Sequence, residues 1–302
     1  MPALNPHVFN PQTGLLIVAV CWGISFPLIR VALQSVSAPK FVFVRFALAG
    51  LAFLFVLFLP KVRREIWRIL LPGLGIGFLN YFIFTSQTLA METISGPRAA
   101  FITGSYVVFV PLLSKAFGRP SPSRMDWVSV VFAFLGLAIL ANPFSSGESA
   151  AMRTGDFLGV FCALCVAVKI HTLTRLAVSG AGAVATAFLQ VWGVVLLYGL
   201  TYPALPSMWF SGEWTWIAFI CVASCAWGIS VGTFYLQSAC QRSVPPHQSA
   251  LIYCLEPVFA TIFSFLMIGE QLTPNGCVGA AFILTAQILP YSLRKFPVTA
   301  HT

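Results

Sequence analysis

Ten runs of about twenty apolar residues fill roughly two thirds of this chain, at residues 14–34, 41–59, 69–90, 98–117, 126–142, 155–177, 181–201, 214–237, 248–268 and 275–291, and no interval between them exceeds 13 residues. At 1.5 Å of rise per residue, a helix of about twenty apolar residues matches the hydrocarbon thickness of a bilayer. Inside hydrocarbon the backbone must satisfy its own hydrogen bonds, which leaves the helix as the structure for runs of this length. The intervals are too short for an additional domain. Charge scarcity points the same way: 17 Lys+Arg and 8 Asp+Glu in 302 residues, or 8% charged, cannot coat a soluble surface, where about a quarter of residues are ordinarily charged. The expected fold is therefore an all-α integral membrane protein with ten transmembrane helices. Soluble enzymes, nucleic-acid-binding modules and disordered chains are poor candidates; the net charge of +9 is not gathered in basic stretches interleaved with polar sequence, so it is read as a membrane feature. Residues 1–13 lack Lys and Arg, and no small-residue cleavage site follows residues 15–20, so the first run is expected to stay as a helix rather than be removed as a signal peptide.

Orientation follows from the basic residues, which accumulate in cytoplasmic loops. With the amino end inside, the inner loops hold Lys61, Arg63, Arg64, Arg68, Lys115, Arg119, Arg124, Arg175, Arg242, Arg294 and Lys295, and the outer loops hold only Lys40, Arg98 and Arg153. Both termini are thus expected in the cytoplasm. The chain also resembles itself. Phe84-Thr85-Ser86-Gln87-Thr88 and Arg98-Ala99-Ala100-Phe101-Ile102 align without gaps on Phe234-Tyr235-Leu236-Gln237-Ser238 and Gln248-Ser249-Ala250-Leu251-Ile252, at an offset of 237 − 87 = 150 positions. Thr13-Gly14 and Thr154-Gly155 open the first and sixth runs alike. Pro111 and Pro257 each interrupt the helix after the repeated Gln and are the expected helix breaks, although their offset of 146 requires a one-turn insertion or non-equivalence. The halves 1–146 and 147–302 are read as two five-helix repeats. Five is odd, so the second enters the membrane inverted. Inverted repeats place a binding site at the midplane between the halves and expose it alternately to each side, which points to transport.

These repeated elements carry a family resemblance. Trp22-Gly23-Ile24-Ser25-Phe26, Arg45-Phe46, Asn80-Tyr81-Phe82 with Gln87, and residues 96–104 through to Pro111 form the first half of the pattern. Residues 250–259, reading ALIYCLEPVF, and Gly269-Glu270-Gln271-Leu272 form the second. In order and spacing they resemble the EamA-type branch of the drug/metabolite transporter superfamily. One departure is that Gly118-Arg119 stands where a Gly-Glu pair would match the second half, so the first half is expected to close differently on the inner side. The resemblance implies ten spans in two five-helix halves, and an inner-membrane exporter or exchanger of small metabolites, often amino acids. The four-helix relatives resemble one another in a membrane-embedded Glu in their first span, which is absent here.

Polar groups inside spans are costly and are candidates for function, with packing as the competing reading. Glu256 lies about nine residues, or roughly 13 Å, from the inner end of the ninth run, too deep to reach water. It is either a proton-coupling or substrate-ammonium site, or a carboxyl tying that helix to broken backbone next to Pro257. Lys169 either lines a cavity or snorkels inward. His171, about 200° further round the helix, shares a face with Arg175; it either faces the cavity or makes an interhelical hydrogen bond. Arg45 is too deep for free solvation and is read as a cavity group or an ion-pair partner, which would make an outer vestibule attractive to carboxylates or phosphates; Arg30 and Arg98 are placed among headgroups. Asn80, Tyr81, Gln87 and Gln237 are further candidates for the cavity wall, with interhelical hydrogen bonding as the alternative. Trp67, Trp209, Trp214 and Trp216 suit the aromatic belt. The Gly73-x-Gly75-x-Gly77 and Gly228-x-x-x-Gly232 spacings suit close helix approach or bending.

No metal or cofactor is expected. Cys162-x-x-Cys165 lacks a second pair and a His at ligand spacing, so it is read as packing; His7, His247 and His301 likewise stand apart from other ligands. Nothing suggests ATP binding, since the glycine triplet lacks a preceding strand and a Lys-Ser/Thr. Catalytic arrangements are also missing. The expected function is a secondary transporter, exporting or exchanging small polar metabolites, amino acids or related carboxylates, by alternating access across the inner membrane. Its partners would be the substrate, the bilayer and protons, without nucleic acid, and the chain would act as a monomer. The alternative is a translocase of a lipid or lipid-linked sugar.

Overall fold

Local chemistry sets the helix boundaries. Asn10 caps the first helix, its side-chain oxygen accepting from Gln12 N at 3.0 Å, with Pro11 in the first turn, where its missing N–H costs nothing. Ser123 and Asp126 form a reciprocal capping box, each side chain accepting from the other's backbone N–H. Thr215 caps Ala218 N at 3.1 Å. Gly269 ends its helix with φ of 70°, and Gly118, at φ of 65°, closes the turn after the helix ending at Leu113, the left-handed conformation that glycine adopts without strain.

The computed structural model describes residues 10–94, 96–141, 154–201, 212–271 and 273–292. Arg153, Arg294, Lys295, His7, His301, Trp209 and Leu272 lie outside them. The described residues are helical apart from connections and one isolated bridge, Val36–Gly212. In order the helices are α1 (Pro11–Ala32), α2 (Ala38–Phe53), α3 (Pro60–Arg68), α4 (Leu70–Thr93), α5 (Gly96–Gly104), α6 (Tyr106–Leu113) and α7 (Arg124–Ala141), followed by α8 (Thr154–Val178), α9 (Ala183–Thr201), α10 (Trp216–Ala223), α11 (Val231–Cys240), α12 (Pro246–Tyr253), α13 (Glu256–Ile268) and α14 (Pro274–Ser292). Over its described residues, each of the ten apolar runs is mostly helical. Among the described residues, seven helical stretches are long and apolar enough to cross a membrane, or eight if α3 and α4, bent by 79°, count as one; the apolar helices Arg98–Leu113 and Pro274–Leu289 are shorter.

Several runs are not straight. The second tightens into a 3₁₀ turn at Leu54–Phe58. The eighth is split by a π turn, Ser224–Ser230, between α10 and α11. The fourth breaks at Ser105 and the ninth at Cys254 and Leu255. Pro257 is therefore at its break, in the first turn of α13. Pro111 is not: it lies within α6, and the first-half break falls six residues earlier. Measured from break to break, Ser105 and Leu255 keep the 150-residue offset that the two prolines violate, so the prolines are not equivalent positions.

Packing pairs the two halves. Helix α7 packs along α14 and α2 along α9. Helix α4 packs on α8 and α9, while α10–α11 pack on α1 and α2; α5–α6 pack on α8, while α12–α13 pack on α1. Glycines permit the closest crossings, where backbone meets backbone: a Cβ on Gly77 would sit 2.7 Å from Gly193 Cα, and one on Gly136 would sit 2.8 Å from Gly279 O. Gly75, Gly228 and Gly232 meet nothing within 4 Å, so the Gly228–Gly232 pair makes no close crossing; Gly228 lies instead in the π turn. Large apolar side chains such as Phe58, Leu71 and Ile217 are exposed on the outside, as a lipid-facing surface requires.

Side-chain contacts between connections fall into two groups. Lys40 Nζ donates to Gly212 O at 2.9 Å, Arg98 pairs with Asp156, and Arg30 pairs with Glu270. These all join odd-numbered connections between the ten runs. At even-numbered connections, Gly182 N donates to Glu65, Arg68 donates to Gly180 O, and His247 Nε2 lies 3.4 Å from Asp126.

Candidate central cavity

Both helix breaks open onto one cavity between the halves. Its wall takes Trp22 and Ile29 from α1, Arg45 from α2, Phe84 and Gln87 from α4, Gly104 and Tyr106 at the first-half break, Lys169 from α8, Gln237 from α11, and Tyr253, Glu256 and Pro257 at the second-half break. The cavity volume is about 80 Å³, space for several waters or a small solute. It extends toward the end that carries the odd-numbered connections, as Ile29, Met91 and Ala100 show.

Arg45 reaches the cavity from α2, and its side chain is 2% exposed. Its Nε donates to Ser230 Oγ at 2.9 Å, and its guanidinium lies 5.2 Å from the Phe84 ring centroid. The π turn positions this acceptor: Ser230 Oγ itself donates to Cys225 O, five residues back. Lys169 is equally deep, at 4% exposure. Its ammonium lies between two rings, 5.6 Å from Trp22 and 5.1 Å from Phe234. It stays in the cavity and does not snorkel to an end. Glu256, at the start of α13, lines the same cavity. Two basic side chains thus share it with one acidic side chain. Trp22 Nε1 and Gln237 Oε1, on two lining side chains, are buried with no hydrogen-bond partner among the described residues.

Beneath this space a polar network closes the wall toward the other end. Gln237 Nε2 donates to Tyr253 Oη, which donates to Gln241 Oε1, each at 3.2 Å. Gln241 Nε2 donates in turn to Ile170 O and Thr174 Oγ1.

Five of the eight expected polar candidates line the cavity: Arg45, Gln87, Lys169, Gln237 and Glu256. The other three do not. Asn80 sits about a turn below the α4 cavity face, where its Nδ2 donates to Gln190 Oε1, and Gln190 in turn donates to Ser238. Tyr81 turns toward α9, with its hydroxyl 3.3 Å from that of Thr201 and its ring edge-on to Tyr198. His171 Nε2 donates to Val110 O at 2.8 Å, a last-turn carbonyl of α6 that also accepts from Ser114 Oγ, and its ring stacks on Phe117. All three therefore serve interhelical bonding.

Arg98 also departs from its expected headgroup position. Its Nε and Nη2 donate to the two oxygens of Asp156, each at 2.8 Å, and the side chains are 6% and 5% exposed. Asp156 escaped sequence reasoning because a carboxylate in a first helical turn is ordinary. Ser230 and Phe234 were equally hard to see, since each acts only through a partner from a distant part of the chain. Among the described residues no cluster of three or more His, Cys, Asp or Glu side chains could hold a metal. Cys162 packs instead, its thiol 3.5 Å from Ile83 O. Glu270 pairs with Arg30, whereas Arg119, its counterpart after Gly118, makes no ion pair among the described residues.

Comparison with known proteins agrees with this architecture. One solved crystal structure superposes with a TM-score of 0.74 at 15% identity, covering 93% of this chain and 96% of the other, a likeness of fold. An uncharacterized transporter of Archaeoglobus fulgidus is 30% identical over 276 residues, 91% of this chain and 84% of that protein. A second uncharacterized transporter from the same organism is 22% identical over 80% of this chain and 84% of its own length. The profile of the EamA-like transporter family matches twice, at residues 12–142 and 153–291. With two such domains, this multi-pass membrane protein belongs to the EamA-like transporter family, within the drug/metabolite transporter superfamily, and is a transporter rather than an enzyme.

Proposed function

We propose that the chain is a secondary transporter of small polar metabolites bearing a carboxylate, amino acids foremost, working by alternating access across the cytoplasmic membrane. The observation that carries this reading is the cavity walled by both halves, with Arg45, Lys169 and Glu256 inside it. Arg45 and Lys169 attract the carboxylate, and Glu256 takes either the substrate ammonium or a coupling proton. Burial gives these charges their influence, because a low-dielectric site screens them far less than water does. The small volume favours a soluble solute over a lipid-linked sugar.

The ten-span, inverted arrangement is part of the same proposal, with halves 1–146 and 147–302 and both termini in the cytoplasm. Two observations support it. Exchanging the halves leaves the helix pairing unchanged, since α4 on α8 becomes α10–α11 on α1. Contacts between connections also sort by odd and even number, as alternate threading requires.

Counterflow in proteoliposomes tests the reading, using radiolabelled amino acids and organic acids against the same solute trapped inside. Accelerated exchange of one or more carboxylate solutes is the expected result. No flux over a broad panel, with folded protein confirmed, would overturn it.

A further inference from the structure

A second feature lies outside the transport path. Helix α3 joins α2 to α4 and bends 79° from α4, so it lies across the end of the bundle instead of continuing into it. Its sequence, PKVRREIWR, is amphipathic. Ile66 is buried and Val62 packs on the apolar core, while Lys61, Arg63 and Arg64 are exposed. Glu65 is already engaged by Arg68 and by Gly182 N. Among the described residues, no acidic side chain pairs with Lys61, Arg63 or Arg64.

Directly beside these charges is an apolar groove of about 700 Å³. Leu57, Phe58 and Trp67 form its mouth; Leu74, Trp192 and Leu196 line it deeper, between α4 and α9; and Arg63 stands in its wall. Trp67 and Phe58 are largely exposed, at 71% and 86%. A helix lying in the interface, aromatic side chains at the same level and an apolar trough running down from a basic rim are together complementary to one kind of molecule. We propose that this groove holds an anionic phospholipid, with its headgroup phosphate on Arg63, in the field of Lys61 and Arg64 on the same short helix, and one acyl chain along Leu74, Trp192 and Leu196. Charge complementarity selects the anionic headgroup. The trough distinguishes a seated lipid from the general attraction of a basic loop for a negative surface.

The two components are separable by experiment. The full-length protein in mild detergent is loaded with phosphatidylglycerol or phosphatidylcholine of matched acyl chains, and retained lipid is counted by native mass spectrometry. Phosphatidylglycerol should be retained preferentially. Neutralising Lys61, Arg63 and Arg64 together to Gln should reduce that preference about fivefold for each charge removed. Lys115→Gln, Arg119→Gln and Arg124→Gln, which remove equal charge from another connection, should leave it intact. Leu196→Trp, which fills the trough and leaves the charges in place, should reduce retention of both lipids. Equal retention of the two lipids by the unaltered protein, equal effects of the two charge triples, or full retention by Leu196→Trp would each overturn the proposal.

Discussion

Asp156→Leu tests how the odd-connection end of the bundle is held together. In the native chain the Arg98 guanidinium and the Asp156 carboxylate meet through two parallel bonds of 2.8 Å, with side chains 6% and 5% exposed. Removing the carboxylate takes two charge-assisted bonds from a buried cation, for which the expected cost is about 3–5 kcal/mol. Arg30 and Glu270, 61% and 39% exposed, provide the contrast; Glu270→Gln should cost under about 1 kcal/mol, because water screens that pair. Arg98→Met combined with Asp156→Leu should recover most of the loss, since two apolar side chains of similar volume leave no unpaired charge. The measurement is equilibrium unfolding in mixed micelles with rising SDS, arranged as a double-mutant cycle. A single Asp156→Leu variant within about 1 kcal/mol of the native protein would refute the argument. So would a double variant no more stable than the single one.

Four further outcomes follow from the same geometry. Lys169→Met should weaken carboxylate solutes about 10- to 100-fold, the range for a charge-assisted hydrogen bond, and an unchanged KM in counterflow would remove Lys169 from recognition. Glu256→Gln should preserve solute exchange while abolishing any dependence on an imposed pH gradient; gradient-driven uptake at the native level in that variant would exclude proton coupling through this residue. Gly77→Ala should destabilise the fold by about 1–3 kcal/mol, the range for overpacking, because its new carbon meets Gly193 backbone, whereas Gly75→Ala, with nothing within 4 Å, should be nearly neutral; equal effects in the unfolding assay would contradict the α4–α9 crossing. Single cysteines replacing Arg64 and Arg119 should react with an impermeant maleimide from the same face of the membrane, and one replacing Lys40 from the opposite face. Labelling of Arg64→Cys and Arg119→Cys from opposite faces would exclude alternate threading.

Helical runs were legible because each spans many residues and needs only hydrophobicity to be seen. The family was legible because its short motifs recur at fixed spacing. The cavity was only partly so. Arg45, Lys169 and Glu256 stand out because an ionisable group is costly in an apolar run and is rarely kept there without a use. Asn80, Tyr81 and His171 carried the same signal of polarity, but whether such a group faces a cavity or a neighbouring helix depends on what the neighbour offers. For Asn80 that partner is Gln190, 110 positions away. Proline was a misleading guide to the first helix break. Pro111 continues in helix, while the helical pattern lapses at Ser105, just after Gly104. Buried Arg98 looked like an ordinary interfacial cation until Asp156 was seen beside it.

The π turn at Ser224–Ser230 has a consequence for the energetics of the cycle. Its counterpart in the first half, helix α4, runs unbroken from Leu70 to Thr93. Two identical halves would make the two orientations of the path mirror images of equal free energy, with no resting preference. An extra residue wound into a single turn removes that degeneracy, because only one half can present Ser230 to Arg45. Under the alternating access proposed above, the two empty orientations therefore differ in free energy, and the Ser230–Arg45 bond is one of the contacts that sets them apart.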